Sequence, residues 1–198
     1  MESNVWEPAL RPGDVPKRIE ADGLVLRRWE PEDLDARYGA ITASFHHLHP
    51  WMHWATVLPT EQEHHERFER ALRWPSDGSY NFGVFDQRGG AILGMAAVHD
   101  QLGPGAVEIG YWCHVDHVGR GVASRSAREL TRIMLCLPHI DRVEIHCDEA
   151  NLRSVAVAER LGYRLDRIED DGANAPAESG RGMVWIKEDR GTEAILAN

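Results

Sequence analysis

The stretch His117-Val118-Gly119-Arg120-Gly121-Val122-Ala123-Ser124 decides how the rest of the chain is read. Upstream lies Ala106-Val107-Glu108-Ile109-Gly110-Tyr111-Trp112-Cys113, rich in β-branched and aromatic residues, as a strand requires. Downstream, Ala123, Ala127, Leu130, Met134 and Leu137 recur at spacings of three and four, which is one face of a helix, and Pro138 ends it. A glycine loop between a strand and a helix is suited to binding an anion. Glycines let a ligand approach the backbone, and the first N–H groups of a helix have no partner in the chain. The loop matches neither common nucleotide fingerprint. No G-x-x-x-x-G-K-[ST] occurs, and Ser124 stands where G-x-G-x-x-G needs its third glycine.

Working outward, Gly23–Trp29 reads as a first strand, and Glu30-Pro31-Glu32-Asp33 opens a helix carrying Leu34, Tyr38 and Ile41. Thr60-Glu61-Gln62-Glu63 has the spacing of a capping box before a second helix. Tyr80–Asp86 and Ala91–His99 flank a Gln87–Gly90 hairpin turn. After the central helix, Arg142–Cys147 is a strand, Asn151–Leu161 a helix, Gly162-Tyr163 a strand entry and Gly182–Glu188 a last strand. Asp170–Gly180 is a polar loop expected to be mobile. The predicted class is α+β: a mixed α/β sheet with helices packed on it. The expected organisation is an irregular arm over 1–20, one domain over 21–189 and a tail over 190–198.

Composition limits the function. The chain has 198 residues, with 22 Lys+Arg against 32 Asp+Glu, a formal charge of −10. That balance disfavours general binding to nucleic acid or to an anionic membrane, while leaving room for a small anion held locally. No run of about 18 apolar residues marks a membrane span. Three scattered cysteines make neither a disulfide framework nor a zinc knuckle, so a cytoplasmic setting is expected. The 11 histidines include no H-E-x-x-H, and no metal is expected.

Three blocks then align with a known family. Glu108-Ile109-Gly110-Tyr111-Trp112, Gly119-Arg120-Gly121-Val122-Ala123, and Asn151-Leu152-Arg153-Ser154 through Glu159-Arg160-Leu161-Gly162-Tyr163 resemble the GNAT superfamily of N-acetyltransferases, and more narrowly its RimJ/RimL branch. The resemblance runs over about residues 22–188. It implies a mostly antiparallel, twisted sheet with helices on both faces, acetyl-CoA as co-substrate, and direct attack of a primary amine in a ternary complex. It implies that Gly119, Arg120, Gly121, Ala123 and Ser124 contact the coenzyme pyrophosphate, that Cys113 and Val115 pair with the pantetheine amides, and that Asn151 holds pantetheine. Ser154 is then the candidate acid for the leaving thiolate. The tyrosine that many members use would fall at position 158, which is Ala158 here. Val118 also departs from the family loop, whose first position is Gln or Arg.

Glu108 is the candidate base: facing the sheet centre, a carboxylate would be desolvated and made a usable base, directly or through a water, whereas facing solvent it would be an ordinary residue of an alternating strand. Alternation puts Glu108, Gly110 and Trp112 on one face. The segment Phe45–Trp54, dense in His and Trp, lies where the family builds its acceptor pocket, so Trp51, Trp54 and Trp112 are candidate acceptor walls. The acceptor is a small-molecule amine or a protein N-terminus, and the resemblance is compatible with a homodimer. The alternatives are a non-catalytic acyl-CoA-binding module and an enzyme using another donor such as succinyl-CoA.

Overall fold

Local chemistry starts and stops the elements. Thr60 Oγ1 accepts the Glu63 N–H and the Glu63 carboxylate accepts the Thr60 N–H, completing the capping box that opens the helix Glu61–Ala71. The Asp86 carboxylate accepts the N–H groups of Gly90 and Ala91 and so closes the hairpin, with Gly89 in the left-handed region at φ 75°. Asn151 caps the helix Leu152–Arg160 by accepting the Ser154 N–H on its side chain.

The structure is a computed structural model that describes residues 7–188. In chain order the elements are β1 (Arg18–Ala21), β2 (Leu24–Arg28), α1 (Leu34–Leu48), α2 (Glu61–Ala71), β3 (Ser79–Asp86), β4 (Ile92–His99), β5 (Ala106–Cys113), α3 (Val122–Leu135), β6 (Arg142–Asp148), α4 (Leu152–Arg160), β7 (Arg164–Asp170) and β8 (Arg181–Glu188). They form one eight-stranded sheet in the order β1-β2-β3-β4-β5-β6-β8-β7. Every neighbouring pair is antiparallel except β5 and β6. That pair keeps register only at Ala106–Arg142, Val107–Val143 and Glu108–Glu144. Beyond Glu108 the two strands diverge, and a wedge opens in the middle of the sheet.

Each face has its own core. On one, the α3 stripe of Ala127, Leu130 and Met134, fully buried, packs with Val157 and Ala158 of α4 against Val107, Ile109 and Ile145. On the other, Ile41 of α1 and Phe68 of α2 pack with Trp29, Phe85 and Trp112. Helices on both faces of a mostly antiparallel sheet agree with the predicted class.

Three expectations need correction. Residues 18–20 of the expected arm are not irregular: with Ala21 they make β1, Ile19 and Ala21 turning inward. The segment before it is pinned, because the buried Asp100 carboxylate accepts the N–H groups of Ala9 (2.7 Å) and Leu10 (2.9 Å). The expected mobile loop 170–180 is tied down as well. Asp148 accepts from Ser179 N, Ser179 Oγ and Gly180 N, and the Ala177 N–H donates to the Pro50 carbonyl at 3.0 Å. β7 is a full strand, hidden from pattern reading because each of its residues is exposed at the sheet edge. The expected tail over 190–198 lies outside the described residues, as do residues 1–6 of the arm.

Candidate active site

The wedge between β5 and β6 continues into a cleft of about 840 Å³ that reaches α3, α4 and the segment after α1. At one end lies the glycine loop. Gly119 (φ 76°) and Gly121 (φ 75°) are both left-handed, a conformation that costs an L side chain about 1–2 kcal/mol. Among the described residues, the N–H groups of Gly119, Gly121, Val122, Ala123 and Ser124 have no hydrogen-bond partner. A Cβ built on Gly119 would meet nothing within 4 Å, so the cradle is open. Arg125 holds this shape: its guanidinium donates to the carbonyls of Gly121, Arg120 and Asp22.

Cationic groups gather here in a chain whose overall charge is negative. Arg125, Arg128, Arg153 and Arg160 line the cleft. Arg160 Nη1 donates to Ser124 Oγ at 2.9 Å, joining α4 to the start of α3 and leaving the hydroxyl hydrogen free. Burial and the neighbouring Arg153 push the His47 imidazole below its ordinary range, so this ring stays neutral beside the cleft.

Deeper along the cleft, Ser154 Oγ and Tyr111 Oη are 2.9 Å apart. Burial raises the Tyr111 phenol strongly, against the opposing effect of the Ser154 hydrogen bond, so Tyr111 stays a proton-bearing donor. Burial pushes the Cys113 thiol up to about 11, which makes it a packing surface and no thiolate nucleophile. Asn151, whose Oδ1 caps α4, still has its amide N–H groups for a ligand.

The cleft brings together Trp51, Trp112, Cys113, Gly119, Gly121, Ala123, Ser124, Asn151 and Ser154 from distant parts of the chain. Other candidates lie off its wall. The Val115 N–H donates to Ser44 Oγ at 3.1 Å, so the expected amide pairing at this residue has lost its donor to α1. Arg120 is exposed on the loop. Trp54 stands behind Trp112, ring centroids 6.3 Å apart, and supports the wall. Glu108 sits at the closed end of the wedge on the Trp112 face, beside His146.

Sequence reasoning missed Tyr111 and the arginines of α4. Arg153 and Arg160 are seven residues apart, two helical turns, so their common face was readable. Tyr111 points to the opposite face from Glu108, and nothing local signals that this face meets Ser154.

A family model described as Acetyltransferase (GNAT) domain matches residues 23–164. The chain belongs to the GNAT acetyltransferase family. Among GNAT relatives, it is 33% identical over 85 residues to YdaF of Bacillus subtilis (strain 168), a protein with the provisional name ribosomal N-acetyltransferase. That alignment covers 42% of this chain and 46% of YdaF, so it spans about half the length of the curated relative. Two solved structures share the fold. RimL, a ribosomal L7/L12 α-N-protein acetyltransferase in complex with coenzyme A, superposes with a TM-score of 0.76 at 19% identity, covering 86% of this chain and 97% of that one. MccE, a microcin C7 self-immunity acetyltransferase in complex with acetyl-CoA and AMP, gives 0.77 at 17%, covering 88% and 97%. No described helix is long and apolar enough to cross a membrane, and among the described residues no group of three or more His, Cys, Asp or Glu could hold a metal ion.

Proposed function

We propose that the protein is an acetyl-CoA-dependent N-acetyltransferase in which a primary amine attacks the thioester directly within a ternary complex. One observation carries this reading: a cradle of unpartnered N–H groups and the Tyr111–Ser154 hydroxyl pair lie along a single cleft. The donor set suits the coenzyme. The five free N–H groups at the start of α3, with the helix dipole behind them, suit a pyrophosphate, and the arginines at the mouth suit further phosphate charge. The edge of β5 beyond Glu108 has no strand beside it, and pantetheine amides pair with such an edge as an added strand would.

Each residue then has a task. Gly119, Gly121, Ala123 and Ser124 hold the pyrophosphate through backbone groups, with Arg120 adding charge at the loop surface. Asn151 donates to pantetheine, and Cys113 packs along it. Ser154 gives its hydroxyl proton to the departing thiolate and regains one from water as the coenzyme leaves, while Tyr111 keeps its proton and holds the Ser154 hydroxyl in place through the 2.9 Å contact. Glu108 accepts the amine proton through water from the closed end of the wedge. Trp51 and Trp112, backed by Trp54, exclude water around the amine. Three free thiols suit a reducing cytoplasm.

The test is thiol release from acetyl-CoA. The names of YdaF and RimL put N-terminal peptides of ribosomal proteins first among acceptors, and the AMP bound to MccE adds aminoacyl nucleotides; polyamines and aminoglycosides complete the panel. Release with at least one amine is expected. Coenzyme binding without release for any amine would leave a binding module instead, and faster turnover with succinyl-CoA would change the donor.

A further inference from the structure

Glu108 has company on its face of the sheet. The last rung between β5 and β6 sets Glu108 beside Glu144, and the β4–β5 register sets His99 opposite Glu108. His146, two residues beyond Glu144, projects to the same side. The Glu144 side chain is 1% exposed. Its Oε1 accepts from Arg142 Nε at 2.6 Å and its Oε2 contacts His146 Nε2 at 2.7 Å. His146 Nδ1 lies 3.8 Å from Glu108 Oε2. On the far side, His99 Nδ1 is 2.8 Å from Ser79 Oγ, and its Nε2 occupies the space over Gly110, where a Cβ would come within 2.8 Å of it.

The arrangement selects a tautomer. Burial pushes the Glu144 carboxyl up, but the hydrogen bonds and charges of His146 and Arg142 outweigh that and hold it at about 2. An ionised carboxylate only accepts, so His146 Nε2 carries a hydrogen, and the Nδ1 lone pair of the neutral ring faces Glu108. A buried carboxylate that orients an imidazole toward a proton source is the logic of the hydrolase triads. At 3.8 Å the Nδ1 contact is open, as such contacts commonly are before substrate tightens them.

We propose that Glu108, His146 and Glu144 form a proton relay from the acyl end of the cleft to solvent. The inference rests on the N-acetyltransferase reading of the same site. As the amine nitrogen bonds to the acyl carbon and the thiolate leaves, the N–H bond breaks toward Glu108. Glu108 passes the proton to His146 Nδ1. The imidazolium keeps its Nε2 hydrogen directed at Glu144 and gives the Nδ1 proton to water that reaches its exposed third from the cavity of about 170 Å³ that His146 lines with Asp148, Glu169 and Asp171. Glu144 is a positioning residue, since it touches neither substrate nor the transferred proton.

The groups facing His146 support this direction of travel. They are Glu144 and Arg142 of β6, Glu108 of β5, His99 of β4 and Arg167 of β7, with apolar Val184 beside it on β8. Burial lowers the imidazole pKa, and Arg167 lowers it further. The Glu144 hydrogen bond and the charges of Glu108 and Glu144 outweigh both, so it lies above the ordinary 6.5. His99 goes the other way: burial and His146 lower it more than Glu108 raises it, and it stays neutral.

The experiment combines two readouts on full-length protein. Histidine-labelled NMR titrations of wild type, Glu108→Gln and Glu144→Gln follow the His146 imidazole without needing turnover. The pH profile of kcat/KM for thiol release is measured for wild type, His146→Gln and Glu144→Gln. A third of the His146 side chain (33%) is exposed, so glutamine replaces it without opening the core. We expect the wild-type acid limb to coincide with the His146 titration, and both Glu variants to lower that titration. His146→Gln should lower kcat about tenfold or more and move the acid limb down by at least one pH unit, with the acetyl-CoA KM within about twofold of wild type. An acid limb unmoved in His146→Gln overturns the relay while the transferase reading stands. Wild-type protein that releases no thiol with any amine overturns the transferase reading, and the relay with it, whatever the NMR titrations show.

Discussion

Replacing Gly121 by alanine separates the cradle from the rest of the cleft. Gly121 sits at φ 75°, so an L side chain there costs about 1–2 kcal/mol if the loop keeps its shape. In a domain of this size that lowers Tm by about 2–8 °C. If the loop relaxes instead, its N–H groups swing away from their common focus. Each charge-assisted hydrogen bond lost to a phosphate is worth about 1.5–3 kcal/mol, so losing one raises the acetyl-CoA KM by roughly 10- to 150-fold. S-acetylpantetheine lacks the pyrophosphate and provides the internal control. Gly121→Ala should change its KM by less than about threefold, because Tyr111, Cys113, Asn151 and Ser154 lie farther along the cleft. The assay is steady-state thiol release with both donors, beside a thermal melt. An acetyl-CoA KM within about twofold of wild type would refute the cradle. Equal losses with both donors would show that the glycine shapes the whole cleft and has no special tie to the phosphates.

The hydroxyl pair predicts that Ser154→Ala lowers kcat by about 10- to 100-fold, that Tyr111→Phe lowers it less, and that the double variant is no worse than Ser154→Ala; additive losses would show that the two act separately. Burial, then the charge of Arg37, pushes the buried His64 down to about 4. The unfolded chain therefore binds a proton there below 6.5 that the fold does not, so stability falls as pH drops from 6.5 to 4, by up to about 1.4 kcal/mol per unit. Denaturant titrations of His64→Gln across that window should show a shallower slope, and an unchanged slope would reassign the effect. Asp100→Ala removes the carboxylate that accepts two buried N–H groups, Ala9 and Leu10, and should cost about 3–5 kcal/mol. Calorimetry should place its Tm about 10 °C or more below wild type, with coenzyme KM unchanged at low temperature.

The parts legible in the sequence are those whose signal is local. The α3 stripe, the Thr60 capping box and the Gly119–Gly121 turn each record their geometry within a few residues, and so did the cradle. Where partners are distant in sequence, reading failed for a physical reason. β1 alternates over only four residues, with Ile19 and Ala21 inward, too short a run to stand out beside the prolines and glycine before it, and β7 has no buried residue and so no alternation at all. The Val115 N–H looked free because Ser44, its partner, is 71 residues upstream. Loop 170–180 looked loose because its composition is polar, while Asp148 and Pro50, which hold it, belong to other elements. Glu108 was placed on the correct face, but the Glu144–His146 pair beside it follows from strand order, which periodicity does not encode.

The three rungs between β5 and β6 have a mechanical consequence. Strands β1 to β5 make one continuous plate, and β6, β8 and β7 make a second; within the sheet the plates are riveted along Ala106–Glu108 and gape beyond. A molecule lying along the gap is a splint as much as a substrate. Occupancy at 100 times Kd adds about 2.7 kcal/mol to the free energy of unfolding. On the proposed reading, the stability of the chain rises and falls with the concentration of its acyl donor. On the same reading, a cell short of that donor would lose the catalyst together with the reaction.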